Sequence, residues 1–169
     1  ALARLVLIGC GADEELDANA VEAAGGQAAQ ALKNTTHADI AFAGRSADYA
    51  AHAAYGGVLN QYRFDLYHSQ EAEPKPRLQR LTLGVKEVEA AQTQWRALEA
   101  VAQGVIRARD LVTEPPNVLT PPEFARRIET LRDLGVDVEV MDTAALRELG
   151  FGALLGVAQG SEQEARLVV

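Results

Sequence analysis

Glu87-Val88-Glu89-Ala90-Ala91-Gln92-Thr93-Gln94-Trp95-Arg96-Ala97-Leu98-Glu99-Ala100-Val101-Ala102-Gln103-Gly104-Val105 opens the most regular segment of the chain. Val88, Ala91, Trp95, Leu98, Ala102 and Val105 follow one another at spacings of three, four, three, four and three, so they form one stripe on a helix. The pattern runs on to Val112, where Glu114-Pro115-Pro116-Asn117 ends it. At 1.5 Å per residue such a helix is roughly 39 Å long. That length suits a helix joining two lobes, and equally one covering a face of a single large lobe.

Toward the N-terminus the segments alternate between strand and helix, which places the chain in the α/β class. Leu5 to Ile8 is a continuous apolar run, expected to be a strand buried on both faces. Gly9-Cys10-Gly11 follows it, and the acids Asp13, Glu14, Glu15 and Asp17 open a helical stretch that Gly25-Gly26 divides in two. A second strand is expected over Ala38 to Ala43, then a helix from Ala47 to Gln61. Tyr62 to Tyr67 fits a short strand or a helix tail. Glu71 to Pro76 reads as a surface loop, and Leu81, Leu83 and Val85 alternate as a half-buried strand.

On the other side, Thr120-Pro121-Pro122-Glu123 has the form of a capping box with proline at the first helical position. The helix it opens is expected to bury Phe124, Ile128, Leu131 and Leu134 and to stop at Gly135. Val136 to Val140 alternates as a strand, Asp142 caps a short helix to Leu149, and Gly150 to Gly160 reads as tight turns before a final strand at Arg166 to Val169. The expected organisation is a first lobe over residues 1–86, a linker helix and Pro-rich turn over 87–119, and the opening of a second lobe over 120–169. Pro115-Pro116-Asn117 either sets the angle between lobes or is a plain surface turn.

The 169 residues carry 24 acids and 16 bases, a net charge of −8, which disfavours nucleic acid as a main partner. One cysteine, Cys10, cannot close an intrachain disulfide, and no apolar run approaches the ~20 residues of a membrane span. The expected compartment is cytoplasmic. Strand-like runs close to both termini suggest a piece of a longer polypeptide; edge strands with short tails are the alternative.

No motif assembles a catalytic constellation. The third glycine of a dinucleotide fingerprint begun at Gly9 would fall on Glu14, whose carboxylate opposes a pyrophosphate. Cys10 reads as a small buried hydrophobe. Glu14-Glu15 is a solvated helix start. His37, His52 and His68 are fifteen and sixteen residues apart and share no face with a carboxylate pair, so each is expected to be structural or superficial. The glycines of Gly150-Phe151-Gly152-Ala153-Leu154-Leu155-Gly156 follow a helix rather than a strand, which excludes the fingerprint there too.

The segment Ala108-Arg109-Asp110-Leu111-Val112-Thr113-Glu114-Pro115-Pro116-Asn117-Val118-Leu119-Thr120-Pro121 resembles the interdomain signature of the leucyl, or cytosol, aminopeptidases. Leu149-Gly150-Phe151-Gly152-Ala153-Leu154-Leu155-Gly156-Val157-Ala158-Gln159-Gly160-Ser161, followed by Arg166 to Val169, matches a second block in the same order. Tyr62-Arg63-Phe64-Asp65 is a weaker third. The resemblance implies a macro-domain-like N-terminal α/β lobe, here missing the first strands that precede the segment matching Leu5 to Ile8, a linking helix and the first β/α units of a larger, here incomplete, catalytic lobe. It implies homohexamers that remove N-terminal residues from peptides, using two divalent metal ions, zinc or manganese, to activate a bridging water. The family's metal-binding block, Gly-Lys-Gly with later Asp, Gly-Gly and a second Lys, would begin after Val169. No residue of the chain is therefore assigned as catalytic, cofactor-binding or metal-ligating, and the segment is expected to be structural and inactive by itself. The rival reading is a macro-like binding or regulatory module for a nucleotide-type ligand or DNA.

Overall fold

The computed structural model describes residues 4–41, 46–67 and 78–169. It divides into two compact units, Ala1–Arg109 and Asp110–Val169.

In the first unit, α1 (Ala18–Ala31) and α2 (Ala47–Asn60) pack on each other, and β1 (His37–Ala41) pairs in parallel with β2 (Arg80–Gly84) from His37 opposite Arg80 to Ala41 opposite Gly84. Ala38, Ile40, Leu81 and Leu83 turn inward on alternate positions, as a strand with one covered face requires. The helix start lies later than the run of acids suggests: Asp13–Glu15 form a 3-10 turn, and Asp17 caps α1 by accepting from Ala20 N at 2.8 Å. Ser46 caps α2 in the same way through Tyr49 N.

Gly25-Gly26 does not divide α1. Both glycines are buried, and a Cβ at Gly25 would overlap the Ala53 carbonyl, as one at Gly56 would overlap the Glu22 carbonyl. The absent side chains let the two backbones approach, and Val21, Ala24, Ala28, Ala29, Ala50, Ala51 and Ala53 fill the seam. The expected strand at Leu5 to Ile8 is not formed; Leu5 and Leu7 are 73% and 88% exposed. An apolar run records a tendency to be covered, whereas a strand exists only through a neighbour's N–H and C=O groups, and among the described residues β1 and β2 pair with each other and not with this run. Residues 62–65 have no regular structure. Phe42, Ala43, Gly44 and the loop at Glu71 to Pro76 lie outside the described residues.

The long helix, α3, spans Val88–Thr113. Its stripe forms as the spacing predicts: Ala91, Trp95, Leu98 and Ala102 are more covered than their neighbours, Val105 is half-buried together with Ile106, and Val88 is exposed.

In the second unit, Thr120 caps α4 (Pro121–Glu129), accepting from Glu123 N at 3.4 Å. Only this half of the capping box forms, because the Glu123 carboxylate is taken by arginines. The helix tightens into a 3-10 turn at Thr130–Leu134 before Gly135, whose φ of +82° suits glycine. Three residues per turn swing Leu134 off the stripe, leaving it 75% exposed, and Ala125 rather than Phe124 takes the buried position. The strand expected from Val136 shrinks to β3 (Val140–Met141), antiparallel to β4 (Leu167–Val168). The Val138 carbonyl is gripped instead by Arg132 Nε and Nη2 at 3.1 and 2.6 Å. Asp142 caps α5 (Thr143–Glu148) as expected, accepting from Ala144 N and Ala145 N, and Leu146 is fully buried. Bonds from Ala145 N, then Ala144 N, with the charge of Arg166, hold the Asp142 carboxyl below the usual carboxylate range. The Gly-rich stretch is largely helical: α6 covers Gly152–Ala158, and of its glycines only Gly150, with φ +79°, needs the left-handed conformation.

Candidate functional site

Among the described residues the fold builds three polar clusters, each joining side chains that no short motif connects. In the first, His52 of α2 reaches α1, with Nδ1 2.7 Å from Glu22 Oε1 and Nε2 3.8 Å from Asp48 Oδ1. The expectation that no histidine shares a face with two carboxylates is therefore wrong. Asp48 and His52 stand four apart on one helix, a legible signal; Glu22 is brought by the close α1–α2 seam. His37 is exposed on β1 beside Thr36 Oγ1 at 3.1 Å, and His68 lies outside the described residues.

In the second cluster, Arg109 of α3 donates from Nη1 to the Leu59 carbonyl in the last turn of α2 at 3.0 Å, and its guanidinium lies 5.5 Å from the centre of the Tyr62 ring. A cation at the carbonyl end of a helix is favourable, and the ring face adds to it. Two of the three blocks that suggested a family thus meet in space.

The third lies in the second unit. Glu114, whose side chain is 4% exposed, pairs with Arg127 Nη1 at 2.9 Å, and Arg127 Nε donates to Glu123 Oε1 at 2.8 Å. Arg126 grips both oxygens of Glu123 from Nε and Nη2 at 2.7 Å each. Hydrogen bonds from Arg126 and then Arg127 hold the Glu123 carboxyl down to about 2. The Glu123 spacings to Arg126 and Arg127 are helical and legible; the partner across the prolines is not.

Cys10 is half-buried rather than buried, with Sγ 3.8 Å from the Ile8 carbonyl. Gly11 has φ +85°, a turn that favours glycine. Glu14 and Glu15 sit exposed in the 3-10 turn. Among the described residues no three His, Cys, Asp or Glu side chains gather where they could hold a metal ion. The nearest donor set, Glu22, His52 and Asp48, is turned inward on itself, with His52 against both carboxylates, so the described residues do not fit the pair of divalent ions that the resemblance implies.

Two sequence profiles match the chain in order: the N-terminal domain of the cytosol aminopeptidase family over residues 1–71, and that family's catalytic domain over residues 106–169. The chain belongs to the cytosol aminopeptidase family. It is 50% identical over 154 residues to a probable cytosol aminopeptidase of Gluconobacter oxydans, an alignment covering 91% of this chain and 31% of that protein. A probable cytosol aminopeptidase of Caulobacter vibrioides is 40% identical over 99% of this chain and 34% of its own length. The bottromycin maturation enzyme BotP, solved in complex with manganese, superposes with a TM-score of 0.77 at 32% identity, covering 95% of this chain and 34% of BotP. A tomato leucine aminopeptidase mutant gives 0.75 at 27% identity, covering 89% and 32%. The chain thus spans about a third of the length of these relatives. No helix among the described residues is long and apolar enough to cross a membrane.

Proposed function

We propose that this chain is the N-terminal part of a metal-dependent aminopeptidase that releases N-terminal residues from peptides, and that its own role is structural. Residues 1–86 form a macro-like lobe, 87–119 the linker, and 120–169 the opening of the catalytic lobe. The observation that carries this reading is the succession of the two family domains along one chain. The manganese in BotP supports a divalent-metal chemistry in which the ligands, for manganese or zinc, follow Val169. Assembly as a homohexamer belongs to the same reading, as does a cytoplasmic location, which alone the relatives' name, cytosol aminopeptidase, supports. The rival, a nucleotide- or DNA-binding module, has no support among the relatives or the described residues.

Calorimetric titration of Mn²⁺ into the chain tests the assignment of the ligands. Weak, non-saturating heats are expected; saturable binding of two ions per chain would overturn it. The coding sequence past Val169 is expected to hold the Gly-Lys-Gly block, and its absence from an uninterrupted reading frame would overturn the aminopeptidase reading.

A further inference from the structure

Pro115-Pro116-Asn117 lies between α3 and α4, where a chain could bend. We propose that this corner is a charge-locked bracket, with Arg127 as its bolt, and not a hinge. The proposal is independent of the activity assigned above.

The backbone of the corner is already restricted. Two consecutive prolines fix φ near −65°, and Glu114, preceding a proline, is confined in turn. Glu114 N still bonds to Asp110 O at 3.0 Å, so the helical pattern of α3 runs up to the prolines. Beyond them Val118 N and Leu119 N both donate to the Pro115 carbonyl at 2.9 Å, and Thr120 N donates to Val118 O at 3.1 Å. The amides of Val118, Leu119 and Thr120 therefore have backbone partners without any side chain being called on.

The side chains add a cross-brace. Glu114 stands at the end of α3 and Arg127 in the last turn of α4, thirteen residues apart, yet they pair at 2.9 Å with the carboxylate almost wholly out of water. A carboxylate so buried is stable only while paired, so opening the corner would strand a charge. Arg127 cannot swing away freely, since Nε is held by Glu123, which Thr120 and Arg126 hold in turn. The planar guanidinium fork suits this two-sided role, which a lysine ammonium could not fill with the same geometry. A hinge would show the opposite: solvated charges, open amides and glycine.

Amide hydrogen exchange on the protein decides between bracket and hinge. In the unaltered protein the bracket predicts exchange at Val118 and Leu119 within roughly tenfold of that at the core amide of Leu146. Exchange more than about a hundredfold faster than Leu146 would overturn it. Glu114→Gln is expected to speed Val118 and Leu119 by about tenfold while leaving the α1 and α2 amides at their original rates; no change in a folded variant would also overturn the proposal. Should that variant fail to fold, the comparison within the unaltered protein still decides.

Discussion

α1 and α3 both carry glycine in mid-helix, and the two cases have opposite meanings. At Gly25 a Cβ would overlap the Ala53 carbonyl of α2, and the reciprocal overlap holds at Gly56 against Glu22; at Gly104 in α3 a Cβ meets nothing within 4 Å. A helical glycine thus signals close backbone approach only where a second backbone is there to approach. In α1 and α2 the helix-propensity penalty is offset by burial of an Ala-rich seam, while in α3 it is merely carried.

Substitutions sharpen this contrast. Gly25→Ala or Gly56→Ala should destabilise the first unit by about 3 kcal/mol, because the obstructing atoms are backbone and cannot turn aside. Thermal unfolding followed by circular dichroism measures this, and a loss below about 0.5 kcal/mol would break the account of the seam. Asp17→Ala removes the cap of α1 and should cost about 1 kcal/mol in the same assay. Gly104→Ala should instead stabilise by somewhat less, up to about 1 kcal/mol, because it gains helix propensity in open space.

The smallest effect belongs to Glu123→Gln, because the ion pairs it removes are exposed to solvent; it is present in full at neutral pH and disappears in acid. The Glu123 carboxyl titrates near 4.5 when unfolded and near 2 when folded, so its contribution is complete above 4.5, shrinks as acid is added, and is gone once the pH has fallen through 2. The melting temperature of the unaltered protein should fall more steeply across that window than that of the variant. Parallel curves would contradict the ion-pair geometry at α4.

Much of the fold was legible because it is local. The stripe from Ala91 to Val105, the caps at Thr120 and Asp142, and the inward alternation of Leu81 and Leu83 depend on residues a few positions apart. What failed was non-local. Leu5 to Ile8 has the composition of a strand but no partner among the described residues, and Val136 to Val138 lost its strand to the grip of Arg132 on one carbonyl. Phe124 and Leu134 were expected inside on spacing alone, and a 3-10 turn with an alanine at the contact put them outside. The clusters at His52, Arg109 and Glu114 join residues 30, 50 and 13 positions apart, beyond any short motif. The family, in contrast, was legible in contiguous blocks, two of which the fold brings together through Arg109 and Tyr62.

The central claim, that this chain is the non-catalytic opening of an aminopeptidase, is tested most directly by leucine-4-nitroanilide hydrolysis with added Mn²⁺, comparing the chain alone with the product of its reading frame continued past Val169. The account predicts turnover by the continued product and none above background by the 169 residues. Turnover by the 169-residue chain alone, or none by a folded continuation, would contradict it.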